Sequence, residues 1–351
     1  MSALIKELGM QHAYLNDQVI ETIYFGGGTP SALPAHDIHL ILETIRNQHV
    51  VSSEVEITLE ANPDDITQEN VAAWKSAGIN RLSIGIQAFQ DELLAAWNRS
   101  HSSAQALEAI SIVQKGGIQN ITADLIYGGP GLSDDDWISN IHRLIDSGIA
   151  HISSYALTVE TGTALFKQIE KGKSMLPDDE QANRQYAILQ EQLAENGFLQ
   201  YEVSNFAKPG FESRHNRSYW SGAHYLGIGP SAHSFNGVSR QWNVSNNVKY
   251  IQALNEGVVP FEIEELTLIQ RYNELVMTGL RTSRGIDMKR LRELGEVFVT
   301  YLNKQINHGE VANNTQNANY AELNEIGNWV LKSEFLFFAD GIAVDLFMNK
   351  E

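Results

Sequence analysis

Glu21-Thr22-Ile23-Tyr24-Phe25 runs directly into Gly26-Gly27-Gly28-Thr29-Pro30. The first half is β-branched, aromatic and apolar, the composition of a strand. The second half is a turn of unusual permissiveness. Consecutive glycines let backbone approach a ligand without Cβ interference and leave N–H and C=O groups open to it. A turn that only needs positive φ accounts for one glycine, or two, but hardly for three with Thr-Pro behind them. A Walker-type phosphate loop is excluded, because no Gly-Lys-Ser/Thr follows. The stretch therefore predicts a strand that ends in a ligand-binding turn.

Outward from it, the first two-thirds of the chain alternates apolar runs with amphipathic helical stretches. Strands are predicted at Glu21–Phe25, Glu56–Glu60, Arg81–Gln87, Thr122–Tyr127 and Ile152–Leu157, with a weaker one at Tyr201–Phe206. Helices are predicted between them at Ile38–Asn47, Asn70–Ala77, Ala104–Lys115 and Trp137–Ser147. Gly78, Gly116 and Gly148 follow helices and predict left-handed exits. Repeated βα units mean parallel strands with helices outside. Interior parallel strands are normally apolar throughout. These carry Thr29, Glu60, Gln87 and Asp124 at their carboxyl ends, where a barrel or open α/β sheet builds its site.

The pattern breaks near Pro209–Gly210, where a loop rich in His, Tyr, Trp and Gly runs to Asn243. Beyond Pro260 a helix Glu262–Arg281 is predicted, then Gly285–Glu293 and a helix Val297–Ile306. A strand pair at Phe335–Phe338 and Ile342–Phe347, turned by Asp340–Gly341, would complete a small winged-helix-like domain. The Asn-rich Asn313–Asn319 reads as a loop. This region is more acidic than basic, which argues against DNA reading.

At 351 residues, a large domain with a smaller one is the natural expectation. A net charge of -18 repels phosphate backbones and anionic lipid, so neither nucleic acid nor a membrane surface is the expected partner. No apolar run approaches the roughly 20 residues that span a bilayer. Met1–Met10 carries Lys6 and Glu7 and reads as a helix rather than a signal peptide, so the cytoplasm is the default location.

Further motifs follow the triple-glycine turn in order: Leu59-Glu60-Ala61-Asn62-Pro63, Arg81-Leu82-Ser83-Ile84-Gly85-Ile86-Gln87, Asn98-Arg99-Ser100-His101 and Asp124-Leu125-Ile126-Tyr127-Gly128. Together they resemble the radical-SAM superfamily, in the branch holding heme chaperones and oxygen-independent coproporphyrinogen III oxidases. The resemblance continues through the C-terminal domain. It implies an α/β fold, an incomplete (βα)6 partial TIM-type barrel with a small C-terminal helical or winged domain. The expected division is 1–205 for the barrel, 206–260 for a glycine- and aromatic-rich extension with a heme motif, and 261–351 for the winged-helix domain.

On that resemblance Gly26, Gly27, Gly28, Thr29, Glu60, Gln87, Arg99 and Asp124 are expected to bind S-adenosylmethionine (SAM). Gly27 and Glu60 would meet its amino group, Arg99 its carboxylate, and Gln87 and Asp124 its ribose hydroxyls. The chemistry agrees: an ammonium suits a carboxylate and carbonyls, a carboxylate suits the arginine fork, and a diol suits paired acceptors.

Arg214-His215-Asn216-Arg217-Ser218-Tyr219-Trp220 resembles the signature that separates HemW-type heme chaperones from the oxidases. It implies His215 as heme-iron ligand, with Tyr219 and Trp220 as heme contacts. Tyr225 adds another flat face, and Arg214 and Arg217 could pair with propionates. Read without the resemblance, His215 equally serves a loop carbonyl while the aromatics fill a core. His224 and His233 are lesser candidates. Gly227-x-Gly229-x-x-Ala232 is not a dinucleotide fingerprint, since Pro230 interrupts it, and reads as a glycine-rich wall of the barrel mouth.

The sequence departs from this superfamily in one respect. Its members carry CxxxCxxC after the first strand, three thiolates that hold a [4Fe-4S] cluster. This chain has zero cysteines. Either the start is misassigned or truncated, or this is a cysteine-free paralogue that binds SAM without cleaving it. With no thiolates, no cluster forms and no radical chemistry is expected of the chain as written. Weaker SAM binding and an exposed edge at Glu21–Phe25 are also expected. The leading functional expectation is a SAM-binding heme chaperone that transfers heme to acceptor proteins, with room for peripheral contact with membrane heme proteins. Second stands a coproporphyrinogen III oxidase-type radical enzyme of porphyrin biosynthesis that has lost its cluster ligands. Third stands a degenerate barrel that binds neither ligand.

Overall fold

The computed structural model describes residues 1–172, 174–308 and 319–349. The predicted Asn-rich loop lies outside the described residues, apart from Asn319. Packing divides the chain into two compact units, one of Met1–Glu21, Leu40–Val55 and Arg214–Glu351, the other of Thr22–His39 and Glu56–Ser213.

One sheet holds seven strands: β1 Ile20–Phe25, β2 Val51–Ala61, β3 Arg81–Gln87, β4 Asn120–Tyr127, β5 His151–Ala156, β6 Leu199–Glu202 and β7 Asn205–Ala207. Their order is β1-β2-β3-β4-β5-β7-β6, with β2 through β5 parallel. This is the expected partial barrel, and β1 occupies the edge position. The weak sixth strand is corrected. Residues 201–206 fold back on themselves, and β7 pairs antiparallel with both β5 and β6. The carboxylate of Glu202 closes this turn, accepting Ser204 N–H at 2.9 Å and Asn205 Nδ2 at 2.6 Å.

The two sheet faces differ sharply. Ile57, Leu59, Leu82, Ile84, Ala123 and Leu125 are buried on one face, beneath helices that contribute Val71, Trp74, Ile110, Val113 and Trp137. Alternate residues, Glu56, Arg81, Ser83, Thr122 and His151, make the other face polar although it too is buried. Arg81 is its anchor. Its guanidinium donates to Asn120 Oδ1 at 2.5 Å, Thr122 Oγ1 at 2.7 Å and the Phe211 carbonyl at 3.3 Å, and it faces Glu56 at 3.7 Å. Burial lowers its pKa and the Glu56 charge opposes that shift. Beside it His151 Nε2 meets the Tyr201 hydroxyl at 2.7 Å.

Local chemistry starts and stops the helices. Thr67, Ser102 and Ser133 accept first-turn N–H groups. Gly78 and Gly148 take the left-handed exits expected of them. The third exit is corrected by one residue: Gly116 has an ordinary φ of -69°, and Gly117 turns at +81°. Gly116 serves close packing, because a Cβ there would lie 2.4 Å from Val71 Cγ1.

In the other unit, β8 His233–Phe235, β9 Ser239–Asn243 and β10 Phe261–Glu265 form an antiparallel sheet. The predicted helix Glu262–Arg281 is therefore shortened to Leu268–Leu280. Thr267 starts it through a capping box with Gln270, leaving the alternating residues before it to β10. Helices Met288–Leu294 and Glu296–His308 follow, then a hairpin of β11 Ala321–Leu323 and β12 Trp329–Leu331. The strand pair predicted at Phe335–Phe338 and Ile342–Phe347 is corrected to a 3-10 turn, Ser333–Phe338, and a helix, Ala339–Asp345. Ala339, Ile342, Ala343 and Leu346 are all buried, which is helical spacing.

The N-terminal helix Ser2–Met10 packs Ala3 and Leu4 against Tyr250 and Leu254. Its Glu7 is fully buried. The carboxylate accepts from Gly229 N at 2.8 Å, Asn243 Nδ2 at 2.6 Å and the Tyr250 hydroxyl.

Candidate functional site

Strand register decides which polar residues meet. Glu60 lies opposite Ser83, while Asp124 lies opposite Gly85 on one side and Ser153 on the other. Glu60 and Gln87 thus sit at the carboxyl ends of β2 and β3, and Asp124 in the second half of the adjacent β4. The glycine turn joins them: Gly27 N–H donates to Glu60 Oε2 at 3.0 Å. Gly27 and Gly28 have φ of +77° and +68°, and a Cβ on either would meet nothing within 4 Å, so both face open space. Thr29 precedes the short 3-10 turn Pro30–Ala32 and is exposed.

Arg99 enters from the loop after the helix Asp91–Ala96. It donates to the Gly85 carbonyl and to Asn62 Oδ1, both at 3.2 Å. Burial lowers its pKa, and Asp64 and Asp124 counter the shift. Gln87 ends β3 in the left-handed region, φ +68°, at an irregularity in the pairing with β4. A Cβ on Gly85 would lie 2.8 Å from Gln87 Nε2 and 3.0 Å from Arg99 Nη2. The missing side chain is the space these two share.

Asp124 is the most perturbed acid here. Burial pushes its carboxyl up to about 7, and the Glu60 charge adds to this. The Ser83 and Ser153 hydroxyls oppose it. Ser83 Oγ donates to Asp124 Oδ2 at 3.2 Å. At neutral pH this side chain therefore exchanges between a charged acceptor and a neutral hydroxyl-bearing form.

Four participants were not singled out from sequence. Tyr24 donates to Glu60 Oε1 at 2.7 Å, and burial followed by the Glu60 charge raises its pKa. Asn62 holds Arg99, and Ser83 holds Asp124. Tyr155, on β5, has its pKa raised by burial and by Asp124. Period-two alternation was the available signal: Tyr24 precedes Gly26 by two residues, and Ser83 precedes Gly85 by two.

The second group lies in the other unit, on the short helix Arg214–Trp220. His215 meets Tyr219 edge-on at 5.1 Å between ring centroids, Tyr219 meets Tyr225 at 4.6 Å, and Tyr225 meets Phe235 at 6.3 Å. Burial lowers His215 to about 4, so its imidazole is neutral at neutral pH. Tyr219 is 43% exposed. Trp220 lies under the Arg281 guanidinium at 5.0 Å. Arg214 binds Glu21 at 2.5 Å and the Glu54 carbonyl. His224 bonds Gln18 at 3.0 Å, and His233 stacks on Trp242 at 6.2 Å. Gly227 packs so closely on His233 that a Cβ would lie 2.2 Å from its carbonyl oxygen.

These donor sets can be matched to ligand chemistry. The first offers a carboxylate, a guanidinium and paired acceptors in one rim, the complement of an amino-acid head joined to a diol. The second offers a neutral imidazole with a partly open row of rings, which suits a flat metalloporphyrin. A thiolate-held iron–sulfur cluster does not fit. The chain has no cysteine, and among the described residues no group of three His, Cys, Asp or Glu is placed to hold a metal ion. Among the described residues no helix is long and apolar enough to cross a membrane.

Comparison with known proteins agrees with the fold. The radical SAM superfamily profile matches residues 5–144. The chain is 37% identical over 290 residues to the heme chaperone HemW of Mycobacterium tuberculosis, covering 82% of this chain and 74% of that one. It is 35% identical over 295 residues to the heme chaperone HemW of Bacillus subtilis, covering 84% and 78%. Among solved structures, the coproporphyrinogen III oxidase HemN of Escherichia coli superposes with a TM-score of 0.82 at 19% identity, over 99% of this chain and 82% of that one.

Proposed function

Because the chain belongs to the HemW heme-chaperone family of the radical SAM superfamily, we propose that it binds heme and passes it to acceptor proteins. We propose equally that the strand ends of the half-barrel bind SAM. One observation carries the heme reading: a histidine held neutral heads a file of aromatic rings, one of them substantially exposed. Neutral imidazole is the form of histidine that ligates iron, and flat rings shield a porphyrin face from water. Handing heme onward breaks no porphyrin bond, so it depends less on a cluster than radical chemistry does.

For SAM, Glu60 and the Gly27 backbone would hold the ammonium, Arg99 the carboxylate, and Gln87 and Asp124 the ribose. Gly26, Gly28 and Thr29 would supply the open turn beside them. The family associates SAM with a [4Fe-4S] cluster, whose chemistry is reductive cleavage of the sulfonium. No such step is assigned to this chain's residues.

Titrating the full chain with Fe(III) protoporphyrin IX tests the proposal. A saturable, shifted Soret band is expected, with the shift lost in His215→Ala. A spectrum that stays that of free heme sinks the heme reading, and an unchanged His215→Ala spectrum removes His215 as the ligand.

A further inference from the structure

Behind Tyr219 and Trp220, residues of the same unit enclose a cavity of about 330 Å³. Its lining joins four aromatic rings to Arg240, Arg271, Arg290, Glu274 and Glu293. Three guanidinia against two carboxylates leave it cationic, in a chain whose net charge is -18.

The three arginines are not equivalent. Arg240 is spent: it binds Glu274 through two hydrogen bonds, 2.7 and 2.9 Å, donates to the Tyr225 hydroxyl at 3.1 Å and covers the Phe235 ring at 4.7 Å. Arg290 gives one nitrogen to the Ser221 carbonyl at 2.5 Å and keeps its other donors. Arg271 sits on the helix Leu268–Leu280, one turn before Glu274. That glutamate would neutralise it, but Arg240 already holds both carboxylate oxygens. Among the described residues the Arg271 side chain has no ion-pair or hydrogen-bond partner. A partly enclosed cation beside aromatic walls calls for a planar anion.

We propose that this cavity receives the carboxylate-bearing edge of the porphyrin, with Arg271 as its ion-pair partner and Arg290 supporting it. The inference rests on the heme reading and specifies its orientation. Whole small-molecule sites run from roughly 300 to 1,000 Å³, so this cavity lies at the floor of the range. It accommodates one edge of a four-pyrrole ring and leaves the remainder outside. That suits a cargo released to another protein better than an engulfed prosthetic group.

The test titrates the full chain with Fe(III) protoporphyrin IX and with its dimethyl ester, which keeps the ring and removes both charges. The ester is expected to bind roughly tenfold more weakly, the scale of one charge-assisted hydrogen bond. Arg271→Gln should weaken the free acid by a similar factor and erase the difference between acid and ester. Equal binding of acid and ester by the unaltered chain overturns the proposal, whatever the variant does. So does an Arg271→Gln chain that still discriminates between them, and in both cases the heme reading stands. Failure of the unaltered chain to bind either porphyrin overturns the heme reading itself, and the cavity assignment with it.

Discussion

Tyr24 and Glu60, on neighbouring strands, share a 2.7 Å hydrogen bond that fixes one carboxylate oxygen while Gly27 N–H fixes the other. The acid is thus positioned before any ligand arrives. Two unlike donors, one from a side chain and one from the glycine turn, set its plane.

Removing that positioning should weaken the site in two steps. Tyr24→Phe deletes one neutral donor and is expected to lower SAM affinity about fivefold, the scale of roughly 1 kcal/mol. Glu60→Gln removes the charge proposed to face the ammonium and is expected to lower it tenfold or more, to about a 1.5–3 kcal/mol deficit. Isothermal titration with SAM measures both. Wild-type affinity in both variants would falsify the assignment of this rim to SAM.

Asp124 sets a dependence on pH with a definite sign. Its folded pKa, about 7, lies above the unfolded value near 3.9. Between these values the native state binds the extra proton, so this residue's contribution to stability declines as pH rises from about 4 to about 7. Asp124→Asn should therefore stabilise the ligand-free chain at pH 8, by on the order of 1–2 kcal/mol, with little effect at pH 4. Thermal unfolding at the two pH values measures this. The same variant should bind SAM less well, having exchanged the proposed ribose acceptor for an amide. A variant less stable than the parent at pH 8 would contradict the account.

Arg81 tests the polar face of the sheet. Arg81→Met removes the guanidinium that faces buried Glu56 and bonds Asn120 and Thr122, and should cost about 3–5 kcal/mol in urea unfolding. Adding Glu56→Leu should recover most of that loss, because removing both members of a buried pair is far cheaper than removing one. If the double variant is as unstable as the single one, the pair is not what holds that layer together.

The sequence revealed most where one kind of periodicity governed a whole element. Arg81–Gln87 has the predicted bounds, since its buried apolar residues alternate cleanly with polar ones. It misled where two periods compete over a few residues. Phe261–Glu265 and Ala339–Leu346 each fit both patterns, and cross-strand pairing with β9 settled the first, burial on four helical positions the second. Partnerships made by register stayed invisible for a different reason. Ser83 meets Asp124, and Arg240 captures Glu274 ahead of Arg271, only after strands and helices have been placed. The candidate SAM residues stand in recognisable motifs one by one, whereas Tyr24 and the arginine cavity take their places only through the fold.

Glu7 carries a consequence for how the chain is made. Its partners Asn243 and Tyr250 lie 236 and 243 positions downstream. On a ribosome, the helix that carries Glu7 must wait for these downstream partners with its acid in water and its apolar stripe uncovered. Contacts of such long sequence separation form late and slowly. The half-barrel strands are complete earlier, so the unit fastened by Glu7 should be the last to acquire protection in pulse-labelled refolding. During translation it is also the part most in need of a holdase.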